Sequence, residues 1–163
     1  MIGFDQFTTD YDPVEDRIRL AGRTVAGDRA TVWLNLRMLG LLVPALVRWL
    51  EGRSAGEGRH QAAVQEFQQA VASAARSYAA PAPPVPPVDG RLAVSVDYTD
   101  LGAAMRLTFK ARDGTGMAWV DLPDMALRQW LGILRDLHTV ALWPVDAFPA
   151  WLGAEPAADL RLN

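Results

Sequence analysis

The side chains able to do acid–base, nucleophilic or metal chemistry are few in this chain, and their spacing marks no catalytic set. There are two histidines, His60 and His138, far apart in sequence and outside any HExxH-type pattern. A metal site needs several convergent ligands. His138 falls on an apolar helical stripe, where a histidine reads as a packed residue rather than a ligand. Cysteine is absent, which excludes a thiolate zinc ribbon and a thiol nucleophile. None of Ser54, Ser73, Ser77 and Ser95 stands in a GxSxG elbow. The glycines between Gly52 and Gly58 lack the Lys-Ser/Thr of a phosphate-binding loop and a strand before them. Asp10, Asp12, Glu15 and Asp16 resemble a calcium loop only in charge. The glycine and the twelfth-position glutamate are missing, and Pro13 interrupts the run. No catalytic residue, metal or cofactor is implied, and the expectation leans away from an enzyme.

Asp113-Gly114-Thr115-Gly116 contains the triplet that carries the aspartate of aspartic proteases. That chemistry needs apolar flanking strands and a second carboxylate to share the proton. Here Lys110-Ala111-Arg112 precedes it, so the tetrad reads as a hairpin turn, for which Asp-Gly is a preferred sequence.

Three features point to contact rather than catalysis. The chain has six tryptophans, a residue enriched at binding hot spots. Trp33 and Trp119 alternate away from the apolar sets of their strands and are expected on outer sheet faces, with a helix of the same chain as the preferred cover. Arg106, Thr108, Lys110 and Arg112 alternate onto one face, a basic stripe in an acidic chain. A helix over 60–78 has a narrow apolar seam of Val64, Phe67, Val71, Ala74, Ala75 and Tyr78, suited to pairing with the preceding helix or with a copy of itself. The expected contact surface is therefore Trp33, Phe67, Arg106, Lys110 and Trp119. The leading functional expectation is a protein–protein interaction or assembly domain, homodimeric or bound to another protein. The alternative is a small-molecule binder or enzyme with a dispersed pocket around Tyr98, Trp119, Trp130 and His138, with His138 as general base.

The elements that must position these residues follow from two periods. Phe4–Thr9 reads as a short strand. Arg17–Leu20 and Ala30–Leu36 read as a hairpin with Ile18, Leu20, Val32, Leu34 and Leu36 inward. Leu39, Leu42, Val43, Leu46, Val47 and Leu50 recur at helical spacing, with Pro44 either kinking that helix or standing in its first turn. Five prolines within Ala79–Pro87 favour a polyproline II spacer. Three alternating runs then predict an antiparallel meander: Leu92–Tyr98, Met105–Arg112 and Met117–Leu122. Asp124 is placed as the N-cap of a last helix. Its stripe is Leu127, Trp130, Leu131, Leu134, Leu137, His138, Ala141 and Leu142.

These readings predict an α+β fold: an antiparallel sheet or small sandwich from two β groups, with a helical insert between them and a C-terminal helix packed on it. One domain is expected over 1–145, with the insert at 38–79, the spacer at 80–90 and a loop-like tail at 146–163. Over roughly residues 4–143 this element order resembles the head domains of centriolar cartwheel scaffold proteins and of DNA end-joining scaffold proteins. The resemblance is architectural, without a shared motif, and implies a dimerising, non-enzymatic assembly module.

Composition sets the remaining bounds. The chain has 163 residues, 50% of them hydrophobic, a net charge of −3 and a pI near 5.3. That balance gives no expectation of nucleic-acid binding, which carries a basic footprint. Lys110 is the only lysine among 16 basic residues, a bias that fits a GC-rich bacterial genome. The longest apolar stretch, Met38–Val47, is about half of the roughly 20 residues of a membrane span. No signal-peptide pattern opens the chain, so a cytoplasmic protein is expected.

Overall fold

The computed structural model describes residues 1–53, 59–76 and 90–153. Three strands come first: Ile2–Asp12 (β1), Arg17–Thr24 (β2) and Arg29–Leu34 (β3). Two helices follow, Leu36–Arg53 (α1) and Arg59–Ala74 (α2). Four more strands come next: Arg91–Leu92 (β4), Ser95–Asp100 (β5), Ala104–Lys110 (β6) and Gly116–Pro123 (β7). Helix Asp124–Val140 (α3) and a short 3-10 turn at Ala150–Leu152 complete the described residues. The fold is α+β.

Both β groups share one sheet, in the order β4-β3-β2-β1-β7-β6-β5. The hairpin and the meander are antiparallel as expected. The junctions between the groups are parallel: Ile2 pairs with Ala118, and Val32 with Arg91. Parallel pairing here needs no local turn, because the whole helical insert or meander lies between the partners. The sheet also curls. The Ala93 amide donates to the Trp33 carbonyl at 2.9 Å, and the next amide, Val94, donates to the Lys110 carbonyl at 2.9 Å. Two adjacent residues thus hydrogen-bond to opposite ends of the sheet. Helix α1 leaves β3 directly and contacts β5.

The inward faces follow the period-two pattern. Ile18, Leu20, Val32, Leu34, Met105, Leu107, Phe109, Val120 and Leu122 are buried and pack against α1 and α3. Asn35 caps α1, its Oδ1 accepting the Met38 amide at 2.9 Å. Pro44 stands inside α1, and the helix continues through it.

Helix α3 corrects the sequence reading at both ends. Pro123, not Asp124, is the N-cap. Asp124 is the first helical residue, and its carboxylate pairs with Arg128 one turn on, at 3.4 Å. At the other end Trp143 N–H donates to the His138 carbonyl (2.8 Å) and Leu142 N–H to the Thr139 carbonyl (3.2 Å). This is a Schellman ending with Leu142 in the left-handed position (φ 56°), where glycine is usual. The expected stripe residue Leu142 is therefore turned out and 92% exposed. Part of the expected loop-like tail belongs to the core: Phe148, Trp151 and Leu152 are buried. Tyr78, the spacer up to residue 89 and residues 154–163 lie outside the described residues.

Candidate functional site

Three of the five expected contact residues share a surface. Arg106 and Lys110 on β6 and Trp119 on β7 lie on the outer sheet face, because cross-strand pairing sets Arg106 opposite Asp121 and Thr108 opposite Trp119. The Arg106 guanidinium stacks 4.2 Å from the Trp119 ring centroid. It also grips Asp121 with two bonds, Nε to Oδ1 at 2.6 Å and Nη2 to Oδ2 at 2.7 Å. That hydrogen-bonded carboxylate raises the Arg106 pKa. Lys110 is ion-paired with Asp97 on β5. The predicted basic stripe is thus largely neutralised within the sheet. Asp97 and Asp121 supply the opposite charge, and only strand register could have revealed that. Trp119 is half-buried over Gly3, where a Cβ would collide with the indole.

The other two lie elsewhere. Trp33 is on the outer face by alternation, but it is buried. Its cover among the described residues is the chain at Gly90, set so close that a Cβ there would overlap the indole nitrogen. The expected helical cover is replaced by backbone, and Trp33 offers little surface for contact.

Phe67 on α2 is 70% exposed, and this exposes an inversion of the whole helix. Most of the seam expected to pack is turned outward: Phe67, Val71, Ala74 and Ala75 are exposed, joined by Ala63 on the same face, while Val64 is half-buried. The buried face carries Gln65, Gln69 and Ala72. Gln65 and its neighbour Gln61 serve the end of another helix, whose last four carbonyls lack intrahelical partners, while Gln69 Nε2 reaches the Arg128 carbonyl of α3 at 3.4 Å. Gln65 Nε2 donates to the Leu50 carbonyl at 3.3 Å, and Gln61 Nε2 to the Glu51 carbonyl at 3.0 Å, both in the last turn of α1. Gln129 of α3 returns the same service, donating to the Ala72 carbonyl near the end of α2 at 3.0 Å. Between α2 and α3, buried Arg128 donates through Nη2 to Gln65 Oε1 (2.7 Å) and Gln68 Oε1 (2.6 Å).

The residues of the alternative pocket are not gathered. Tyr98 is exposed on β5, and Trp119 is on the outer sheet face. Trp130 and His138 are buried on the inward face of α3. The Trp130 indole donates to Thr9 Oγ1 at 3.1 Å, which ties α3 to β1. His138 is enclosed edge-on by Trp143 and Phe148, and Nδ1 lies 2.8 Å from the Pro144 carbonyl. A carbonyl only accepts, so Nδ1 carries the proton and buried Nε2 has no partner. Burial lowers the His138 pKa below the usual 6.5, with the Pro144 contact opposing in part. The unfolded state therefore takes up the proton first as pH falls. His138 contributes stability above about pH 6.5, and this is lost progressively below it. Thermal unfolding between pH 7.5 and 5 should show falling Tm. His138→Asn keeps a donor for Pro144 but does not titrate, so its Tm should be lower at the start and flatter over that range. An equal slope in the variant would assign the acid sensitivity elsewhere. Asp100 and Asp113, both held below the usual carboxylate range, act only at lower pH. Asp100 is lowered first by the Trp49 indole facing it and Asp113 first by the Thr115 hydroxyl.

Tyr98 instead borders an open groove of about 550 Å³ between the first half of α1 and β5. Leu41, Val94 and Tyr98 give it an exposed apolar lining, and Arg37 and Arg112 stand on it. Among the described residues no cluster of three or more His, Asp or Glu could hold a metal ion. No helix among them is long and apolar enough to cross a membrane. Comparisons with protein-family models, curated proteins and solved structures find no match to this chain, so the resemblance to scaffold head domains rests on element order alone.

Proposed function

We propose that the chain is a non-enzymatic assembly domain that pairs with a second copy of itself through the outward face of α2. The observation that carries this reading is the orientation of that helix, which exposes Phe67 and Val71 and buries Gln65 and Gln69. A helix in a soluble domain normally turns its apolar stripe to the core. Here the polar face is anchored by hydrogen bonds to α1 and α3, and the apolar stripe is left to meet another surface. Its form suits a copy of itself. Phe67 stands between the small side chain of Ala63 and Val71 on the exposed stripe, so two such helices related by a two-fold axis would each offer a knob and, at Ala63, a shallow hole. The outer-face cluster of Arg106, Lys110 and Trp119 has its charges already paired and serves at most as a rim. Light scattering over a range of concentrations tests the proposal. The chain should run as a dimer, and Phe67→Asp should weaken self-association by at least about thirtyfold, the effect of losing an interface hot spot. Far-UV circular dichroism should be unchanged, since Phe67 is mostly exposed in the single chain. A strict monomer at every concentration would refute it.

A further inference from the structure

The groove between α1 and β5 is separate from the outward face of α2, and three observations make it a site of its own. First, β5 is hydrogen-bonded to β6 on one side only, and it ends the sheet. An unpaired strand side presents backbone donors and acceptors to any segment that lies along it. Second, the lining exposes apolar side chains where a soluble surface would normally be polar. Leu41 is 73% exposed, and Val94 and Tyr98 are also open. Third, the lining includes Arg37 and Arg112 and no carboxylate, in a chain whose net charge is −3. Neither arginine has an ion pair among the described residues, a property shared with others such as Arg29 and Arg91, but here the two flank an apolar floor and a strand edge. Two free guanidiniums beside an apolar floor and a strand edge form a local complement to negative charge on an extended chain.

We infer that this groove docks an extended acidic peptide segment of a partner protein, which lies along β5 with apolar side chains on Leu41, Val94 and Tyr98 and carboxylates against Arg37 and Arg112. Main-chain bonds along a sheet edge supply affinity that is indifferent to sequence, and the side-chain floor and the arginines select the segment. The two arginines with no carboxylate in the lining make the groove locally positive, so an acidic segment is attracted to it.

The test uses the full chain and a short fluorescent peptide alternating glutamate with valine, followed by anisotropy at low salt. Saturable binding is expected. The double charge reversal Arg37→Glu/Arg112→Glu should weaken it about tenfold, the sum of two exposed ion pairs. Leu41→Asp should weaken it as well, and because Leu41 is exposed this variant keeps the fold. A peptide alternating lysine with valine should not bind. Equal binding of polyglutamate would mean charge attraction without groove recognition and would overturn the proposal. So would tighter binding of a single-stranded oligonucleotide, the absence of binding at the highest concentration reached, or insensitivity to the two arginine changes. If those changes abolish self-association while the peptide does not bind, the groove belongs to a second copy of the chain and the proposal fails. Phe67→Asp should leave peptide binding intact, which separates this inference from the one on self-assembly.

Discussion

Arg128→Ala is expected to lower the stability of the fold by about 3 kcal/mol, near the upper end of the cost of leaving a buried acceptor unsatisfied. Arg128 is only 2% exposed, on the face of α3 turned to α2. Its guanidinium serves Gln65, Gln68 and Asp124 at once and lies over the Trp151 ring, 5.4 Å from its centroid. Alanine would leave the Gln65 oxygen buried without that donor, empty the space over Trp151 and remove the contact that seats α2. The position is held by polar satisfaction, so an apolar replacement of both partners should do better than the truncation. In Arg128→Met/Gln65→Met the buried Gln65 oxygen goes together with its donor, so part of the loss should be recovered, although the Leu50 carbonyl loses the Gln65 donor and Gln68 loses Arg128. Urea titration of the two variants decides this. Equal losses would mean that packing alone, not hydrogen bonding, seats α2. The functional consequence is specific: a loosened α2 presents Phe67 poorly, so Arg128→Ala should also weaken self-association without touching the exposed stripe.

Gly22→Ala should destabilise by about 3 kcal/mol or more, at the upper end of the overpacking range, even though one methyl group is added. Gly22 in β2 stands opposite Phe7 of β1, beside the irregularity between Phe4 and Gln6. A Cβ there would overlap the Gln6 carbonyl oxygen and come within 2.7 Å of Phe7 Cα. These are backbone atoms, so no rotamer change relieves the clash, and the bulged ladder itself must move. That ladder carries Thr9, the partner of Trp130, and so positions α3. Gly52→Ala is the control. Gly52 lies near the end of α1 with open space around its Cβ position, and the same chemical change should add about 0.5–1 kcal/mol. Thermal melts of the two variants should therefore shift in opposite directions. A neutral Gly22→Ala would show that β1 can shift to make room.

The amino-acid sequence alone determined whatever depends on neighbours a few residues away. Alternation placed Ile18, Leu20, Val32, Leu34 and Leu36 on one face of a hairpin; the first four are buried there, whereas Leu36 is half-buried and opens α1. Asp113–Gly116 is the expected turn, with Asp113 Oδ1 accepting the Thr115 amide at 3.0 Å and Gly114 at φ 81°. The stripe of α3 is right from Leu127 to His138, because a 3.6-residue period needs no knowledge of what it packs on. What tertiary structure decided are pairings between distant parts of the chain. The two β groups become one sheet through the parallel pairing of β1 with β7, and it curls so that Ala93 and Val94 bond to strands near its opposite ends. Arg106 and Lys110 read as a free basic stripe until the register of β5, β6 and β7 places Asp121 and Asp97 beside them. Helix α2 is the sharpest case. Its apolar residues lie where periodicity put them, but the face that packs is the glutamine face. The carbonyls that those glutamines satisfy belong to the last turn of α1, and the guanidinium between them belongs to α3. Hydrophobic pattern ranks the faces of a helix by transfer from water. It is silent on unsatisfied backbone groups brought near by the rest of the fold, and here those groups decided which side of α2 is buried and left Phe67 facing out.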